Sequence, residues 1–486
     1  MNYKMMGRLN SFILMINAVF MLPPLIISIF CAEHRSTLAF GATISIMLAV
    51  AGILALLARG AKKDFFAREG IVCVGTCWII MSLLSALPFV ISGAIPNYVD
   101  ALFETVSGFS TTGATILRDV ERLPKSILYW RSFSHWRGGM GVLVFLLAIV
   151  PIGGKSEGFT LHLLRAESPG PDVGKLVPKM KRTATVLYLC YIALTAACLI
   201  FLLADKEMPV FDAFCITFGT AGTGGFGVKN DSLASYSHYV QWVVAIFMFL
   251  FGINFSCYYL ILMKKLRSVL KDEELRLYII IVVASITAIT VNLLTSADFS
   301  GMAPADAIRE SAFHVSAIIS STGYSISDFN IWPTLSKTII VLLMCVGACA
   351  GRTGGGFKCA RVLLLFKSMK RSLSQVLRPQ KVKVIRVNGK VVAEKILSNT
   401  ASYLFIFLFI LLLCTLLISV DGFSLETNFS VVLSCINNIG PGLDQAYANY
   451  ADFSIFSKLI LTVCMLAGRL ELFPIILLFK REAWKR

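Results

Sequence analysis

Long apolar runs are the feature of this sequence that most limits what it can fold into. A run of about twenty residues without charge crosses roughly 30 Å of hydrocarbon as a helix. A water-soluble chain carries about a quarter of charged residues, whereas this chain of 486 residues has 15% and a mean hydropathy of +0.76. The sequence therefore predicts an all-α polytopic membrane protein with ten long spans, centred on residues 12–32, 38–58, 71–92, 127–151, 183–203, 239–263, 276–296, 337–367, 396–420 and 454–479.

The charges between the spans predict their orientation. With the N-terminus in the cytoplasm, most of the 45 Lys and Arg residues fall on one side and most loop acids, Glu104 among them, on the other. Membrane proteins follow this positive-inside rule, so the net charge of +17 needs no nucleic acid partner to explain it. We expect both termini in the cytoplasm and an acidic outer face that attracts cations. The alternative is that acids simply favour non-cytoplasmic loops.

Four shorter apolar stretches lie between the long spans and share one spacing. In three of them a glycine follows an acidic residue by 13 positions, and in the fourth it follows Thr427, the neighbour of Glu426, by 13 positions. Each stretch lies between two long spans, so the chain reads as four copies of span, short helix, glycine turn and span, preceded by two extra spans. The stretches are DALFETVSGFSTTG, DAFCITFGTAGTGG, ESAFHVSAIISSTG and TNFSVVLSCINNIG, which end at Gly113, Gly225, Gly323 and Gly440.

These short stretches cannot cross a membrane, because a helix of about a dozen residues is only about 18 Å long. We predict that each enters from outside as a helix, capped by its first acid or threonine, and returns as extended chain. Unpaired carbonyl groups in lipid cost several kcal/mol each, so the returning backbone must line a polar cavity. The negative ends of four helix dipoles point toward that cavity and favour a cation there.

The glycine turns that follow the four helices are the candidate ion site. Glycine allows carbonyl groups to point inward, and rings of carbonyl oxygens can replace the hydration shell of a monovalent cation. The alternative, glycines that serve helix packing, is weakened by their four matching positions. In the second turn Gly222 and Gly224 leave other registers open, and the spacing from Asp212 favours Gly225. The candidate residues are Thr111, Thr112, Gly113, Thr223, Gly224, Gly225, Ser321, Thr322, Gly323, Asn438, Ile439 and Gly440.

Over about residues 70–480 these repeats resemble the Trk/Ktr/HKT superfamily of potassium transporters, most closely its bacterial TrkH-type uptake subunits. The resemblance implies four M1-P-M2 units (span, pore helix, filter loop, span) around one central pore, in which the candidate residues bind potassium. Superfamily members that favour sodium often carry serine at the first filter position, so Gly113 favours potassium. The implied divisions are 1–69 for the two extra helices, 70–182 for repeat 1 with its cytoplasmic loop, 183–275 for repeat 2, 276–395 for repeat 3 with a gate loop and a basic cytoplasmic loop, and 396–486 for repeat 4.

The eighth span is interrupted by the sequence GACAGRTGGGFK, residues 347–358. Each glycine in a helix costs about 0.8 to 1 kcal/mol relative to alanine, so we predict an irregular loop inside the membrane. Deep in the last span, Arg469 is expected to face the pore or an acid. The resemblance implies that the loop gates the pore beneath the filter and that the arginine raises an electrostatic barrier there. The candidate gate residues are Gly351, Arg352, Gly354, Gly355, Gly356, Lys358 and Arg469.

The basic segment VKVIRVNGKVVAEK, residues 382–395, predicts a small β-hairpin that turns at Asn388 and Gly389. It is suited to membrane lipids or an acidic partner. The resemblance implies a homodimer in the bacterial cytoplasmic membrane that works with a cytosolic nucleotide-binding ring subunit of the TrkA type. The chain has no Walker motif, no Rossmann pattern and no CxxC pair, so we expect no bound cofactor and no metal other than potassium as substrate.

Potassium uptake through a channel-like pore, gated by the cytosolic subunit, is the function that the sequence favours. A sodium-permeable or sodium-coupled transporter of the same superfamily is the first alternative, which the ion selectivity of flux separates. A membrane enzyme is disfavoured because no acid/base pair or metal cluster converges in the spans. A non-transporting sensor would show no ion flux in liposomes.

Overall fold

The computed structural model describes residues 1–61, 67–139, 141, 180–299, 301–380, 383–470, 475, 478, 480 and 481. Within them the chain is almost entirely helical, and its one sheet is a two-stranded hairpin. Among these described residues, six helices are long and apolar enough to cross a membrane, and a bent pair of helices counts as a seventh span if it is taken as one. The chain is thus a multi-pass membrane protein, as the apolar runs predict.

Four repeats of span, pore helix and span follow an N-terminal pair, and the predicted fold class is confirmed. The N-terminal pair comprises Tyr3–Phe20, Leu22–Phe30 and His34–Leu57. Repeats 1 and 2 comprise Ala67–Ser85, Leu87–Ser92, Tyr98–Phe109 and Lys125–Gly139, then Met180–Leu203, Val210–Gly222, His238–Phe251, Phe255–Leu262 and Leu266–Leu270. Repeats 3 and 4 comprise Glu273–Thr295, Pro304–Ile319, Thr334–Val346 and Cys359–Leu377, then Glu394–Ile418, Leu425–Asn437 and Ile455–Leu470. Short 3₁₀ turns lie at Ala297–Phe299, Phe329–Ile331, Ser419–Asp421 and Asp444–Ala446.

Pore helices 1 to 4 are Tyr98–Phe109, Val210–Gly222, Pro304–Ile319 and Leu425–Asn437. Their acids do not cap them, which corrects the sequence prediction. Asn97 caps pore helix 1 by accepting from Val99 N–H at 2.8 Å, and Ser424 caps pore helix 4 by accepting from Thr427 N–H at 3.1 Å. The helices begin before the predicted acids, which therefore lie within the first turns or beyond, where a negative charge still favours the dipole.

The second span of repeat 2 is not the single helix that the apolar run 239–263 predicts. It bends by 89° between His238–Phe251 and Phe255–Leu262. Asn254 starts the second helix, because its side chain accepts from Ser256 N–H at 2.9 Å. The break leaves Gly252 and Asn254 free to contact another loop.

The other interrupted span matches its prediction. The chain leaves helix between Val346 and Cys359, so residues 347–358 form a loop. Three predicted features lie partly outside the described residues. They are the span 127–151 after Gly139, apart from Gly141, the loop 155–182 before Met180, and most of the last span after Leu470.

The predicted hairpin is present between the last two repeats. Arg386 pairs with Val391 and Val387 with Lys390, and both Asn388 and Gly389 have positive φ. Two left-handed residues in a two-residue turn are the geometry that an Asn-Gly pair favours.

Candidate ion site and gate

The four glycine turns have the same backbone conformation. The residue two positions before each glycine is left-handed, with φ of 58°, 54°, 54° and 55° at Thr111, Thr223, Ser321 and Asn438. The glycines are left-handed too, with φ of 80°, 81°, 77° and 109° at Gly113, Gly225, Gly323 and Gly440. In the second turn this geometry falls on Gly225, whereas Gly222 is the last residue of its pore helix.

Each pore helix also ends with the same hydrogen bond. The N–H of the residue before the glycine donates to the carbonyl five positions earlier, which is the Schellman ending of a helix. These bonds are Thr112 to Ser107 at 2.9 Å, Gly224 to Gly219 at 2.8 Å, Thr322 to Ala317 at 2.8 Å and Ile439 to Ser434 at 2.9 Å. Repeated local geometry therefore places the four turns in equivalent orientations.

The turns contact one another in a cycle. A Cβ added to any of the four glycines would overlap the carbonyl oxygen of the residue that precedes the glycine of the next repeat. The facing pairs are Gly113 with Gly224 O, Gly225 with Thr322 O, Gly323 with Ile439 O and Gly440 with Thr112 O. Glycine is needed both for its positive φ and for this close approach, and each turn packs directly against the next one.

Side-chain hydroxyl and amide groups of the turn residues form hydrogen bonds that hold the turns in place. Ser110 Oγ lies 2.7 Å from Thr112 Oγ1, and Ser320 Oγ lies 2.7 Å from Thr322 Oγ1 in the same arrangement. Asn438 donates to Thr112 Oγ1 at 2.9 Å and to the carbonyl of Met465 at 2.8 Å. This amide joins repeat 4 to repeat 1 and fixes the turn against the last span.

A buried ion pair that was not predicted from the sequence connects the segments that follow the first two turns. Glu104 and Arg131 are 1% and 2% exposed, and Arg131 Nε donates to Glu104 Oε1 at 2.8 Å. The carboxylate also accepts from Thr115 Oγ1 at 2.9 Å and Ile116 N–H at 3.1 Å, while the guanidinium donates to Gly227 O at 3.3 Å. The expectation that Glu104 lies on the outer face is wrong. An acid nine residues before a filter glycine was the available signal, but its partner lies 27 positions away on another helix.

Above the turns, a cavity of about 320 Å³ is lined by all four repeats. Its wall includes the four glycines, together with both acidic and basic side chains, among them Asp231, Asp328, Arg118 and Lys229. The cavity therefore opens directly onto the four turns.

An acid in the segment that follows the fourth turn contacts the pore helix that precedes this turn. Asp444 accepts from Thr427 Oγ1 at 2.8 Å and Ser424 Oγ at 2.9 Å. These hydroxyl donors, that of Thr427 first, hold the pKa of Asp444 below its usual value. The chain leaving the fourth turn is thereby fastened to the N-terminus of the helix that enters it.

Below the turns lies the loop 347–358. Thr353, a residue absent from the sequence prediction, is fully buried and its hydroxyl lies 3.2 Å from that of Thr223. Arg352 donates to the carbonyl of Ser320 and to Ser321 Oγ, and closes back on Gly355 O at 2.8 Å. The loop therefore contacts the turns of repeats 2 and 3 directly.

The glycines of this loop differ in their surroundings. A Cβ at Gly354 would overlap Ser321 Oγ, and one at Gly355 would overlap Asn438 Oδ1, so these two lie against the turns. Gly351 lies instead against Asn254, in the break of repeat 2. Gly356 has a φ of 97° beside Asn437, and Lys358, with a φ of 62°, ends the loop where the next helix begins.

Arg469 joins the loop to two other elements. Its guanidinium donates to the carbonyl of Thr353 and to those of Gly138 and Gly139, the last at 2.6 Å. These two glycines are the last residues of the helix Lys125–Gly139 in repeat 1. The arginine thus contacts backbone carbonyl groups beneath the turns.

Known proteins of one kind match this chain over almost its whole length. The family model TrkH, described as a cation transport protein, matches residues 36–485. The chain is 30% identical over 489 residues to the Trk system potassium uptake protein TrkG of Escherichia coli K12, covering 99% of each. It is 31% identical over 495 residues to the Trk system potassium uptake protein TrkH of Halomonas elongata, covering 100% of each. The crystal structure of the potassium transporter TrkH from Vibrio parahaemolyticus matches with a TM-score of 0.88 at 28% identity, over 100% of both chains.

Proposed function

Because this chain belongs to the TrkH family of cation transport proteins, we propose that it is the pore-forming subunit of a Trk-type potassium uptake system. The observation that carries the proposal is the cycle in which four glycines each face a carbonyl oxygen of the next repeat. Such oxygens replace the water around a dehydrated potassium ion. Entry needs no chemical step, because a potential of 100 mV supplies about 2.3 kcal/mol per charge.

The ion site comprises the three-residue turns that end at Gly113, Gly225, Gly323 and Gly440, and potassium is the only metal it holds, as substrate. The loop 347–358 is the gate. Its contacts with Thr223, Ser321 and Asn438 support this role, because a segment in that position blocks the way from the turns to the cytoplasm. Arg469 adds a positive charge at the same level and fastens Thr353.

The protein acts as a homodimer in a bacterial cytoplasmic membrane, with both termini inside. A cytosolic nucleotide-binding ring subunit of the TrkA type controls the gate from the basic cytoplasmic loops, and anionic lipids contact the same loops. No cofactor is bound by this chain. The excess of Lys and Arg in the loops assigned to the cytoplasm supports this orientation.

Cation flux in liposomes tests the proposal. Purified protein should pass potassium in preference to sodium, and Gly113→Ser should weaken this preference, because the new side chain displaces the carbonyl of Gly224. Gly52→Ala is the matched control, since its Cβ would meet no atom within 4 Å.

Equal potassium and sodium flux in the unaltered protein would favour the sodium-permeable alternative. Unchanged selectivity in Gly113→Ser would contradict the filter assignment. Absence of any flux, with and without the cytosolic subunit, would favour a non-transporting sensor.

A further inference from the structure

Three consecutive acids, Asp272, Glu273 and Glu274, begin the first span of repeat 3, and each accepts hydrogen bonds there. Asp272 caps the helix by accepting from Leu275 N–H at 2.9 Å. Glu273 forms an ion pair with Lys367. Glu274 accepts from Ala350 N–H at 2.6 Å, and Ala350 belongs to the loop 347–358. One helix terminus thus contacts the candidate gate directly.

The same terminus holds the cytoplasmic hairpin 386–391. Asn388 Nδ2 donates to Asp272 Oδ2 at 2.7 Å, and Asn388 N–H donates to Glu273 Oε1 at 3.0 Å. In return, Glu273 N–H donates to Asn388 Oδ1 at 2.9 Å, and Lys367 Nζ donates to Arg386 O at 2.7 Å. The turn of the hairpin is therefore fixed to the residues beside Glu274.

Glu274 contacts the same segment of the loop by which the loop is attached to repeat 2. Cys349 N–H donates to Gly252 O at 3.2 Å, and Phe255 N–H donates to Gly351 O at 3.3 Å, across the bend of that span. Ala350, which donates to Glu274, lies between these two attachment points. Hydrogen bonds from N–H groups to a carboxylate are about twice as strong as neutral ones.

We propose that Glu274 is the positioning residue that keeps the loop 347–358 closed, and that the hairpin 386–391 acts on the gate through the helix terminus that carries it. A cytosolic partner that moves the hairpin shifts Asp272 and Glu273, and with them the carboxylate that holds Ala350. This inference rests on the proposed function of the loop as a gate. Coupling between the hairpin and the gate requires an element that can adopt two arrangements, with the balance between them shifted from both sites.

The test uses full-length protein in liposomes without the cytosolic subunit. Glu274→Ala should raise basal potassium flux at least threefold and leave the potassium-to-sodium ratio unchanged, because the turns of the filter are untouched. Glu274→Gln, which keeps an acceptor oxygen without the charge, should have a smaller effect. Glu394→Gln is the matched control: this acid also lies in the first turn of a first span, but pairs with Arg371 at 2.5 Å, away from the loop. It should leave basal flux unchanged.

Coupling to the hairpin is tested with Asn388→Ala. This variant should also raise basal flux. The double variant Asn388→Ala with Glu274→Ala should conduct no more than Glu274→Ala alone, because both substitutions act through the same contact between the helix terminus and the loop. Additive increases would overturn the coupling between hairpin and gate. Should Glu274→Ala fail to fold, Glu274→Gln and Asn388→Ala still decide the question.

Hydrogen exchange separates failure of this inference from failure of the proposed function. Glu274→Ala should speed amide exchange in peptides covering residues 347–358. Unchanged exchange and unchanged flux would overturn the role of Glu274, while potassium flux through the unaltered protein would still support the pore. Faster exchange without greater flux would show instead that the loop is not the gate.

Discussion

At the scale of single residues, the Glu104–Arg131 pair is the interaction whose loss should cost most. Removing one partner of a buried ion pair costs about 3 to 5 kcal/mol, because the remaining charge loses its compensation. We expect Arg131→Met to lower the unfolding temperature in detergent and to weaken potassium selectivity, since Gly227 loses its donor. Adding Glu104→Gln should restore part of the stability.

The exposed pair between Arg371 and Glu394 provides the control for this prediction. Surface ion pairs contribute about 0 to 1 kcal/mol, so Arg371→Met should barely change the unfolding temperature. If Arg131→Met were equally mild, the buried pair would have no measurable role. The pairing of Glu104 with Arg131 could not be predicted from the sequence. An arginine near a helix end could pair with any of several acids, and only the tertiary fold decides which one.

At the scale of elements, Asp444 connects the fourth turn to the start of its pore helix. Its pKa is lowered by hydrogen bonds, so its stabilising contribution is present above the unfolded value of about 3.9 and is lost as the pH falls through the lower folded value. We expect Asp444→Asn to lower the unfolding temperature at neutral pH. The difference from the unaltered protein should shrink as the pH falls below about 4.

Asp119 offers a comparison, because its pKa is also lowered, first by a hydrogen bond from Asn230. The polar partners of its carboxylate, which are Asn230, Glu121 and Arg122, lie in loops rather than in a pore helix. Asp119→Asn should therefore leave potassium selectivity unchanged, while Asp444→Asn weakens it. A difference in stability between Asp444→Asn and the unaltered protein that persisted undiminished at low pH would contradict the role of the charge.

The positions of the helices show which features of the fold a sequence pattern can predict and which it cannot. The spacing of 13 residues located all four pore helices and their glycines, because local geometry repeats with the local sequence. The bend after Phe251 was missed, since glycine within an apolar run is tolerated in membrane helices and gives no sign that Asn254 will start a new one. Contacts such as Glu274 with Ala350 depend on tertiary packing between residues 76 positions apart.

At the scale of the whole molecule, the four repeats are alike around the turns and unlike beneath them. Repeats 1 and 3 support their turns with paired hydroxyl groups. Repeat 2 contributes Thr223 to the contact with Thr353, and repeat 4 contributes Asn438 against Gly355. On the proposed function, one asymmetric loop from repeat 3 closes a pore that is otherwise fourfold. We therefore expect a change in that loop to alter conduction without altering selectivity.

Shortening the glycine segment 351–356 tests this division between filter and gate. A shorter loop cannot keep both Thr353 beneath Thr223 and Gly351 beside Asn254, so basal potassium flux should rise several-fold while the potassium-to-sodium ratio stays that of the unaltered protein. Thr353→Val, which removes only the hydroxyl contact, should raise flux less. Flux at the unaltered level from a folded, shortened protein would contradict the gate, and a changed ion ratio would mean that the loop also shapes the filter.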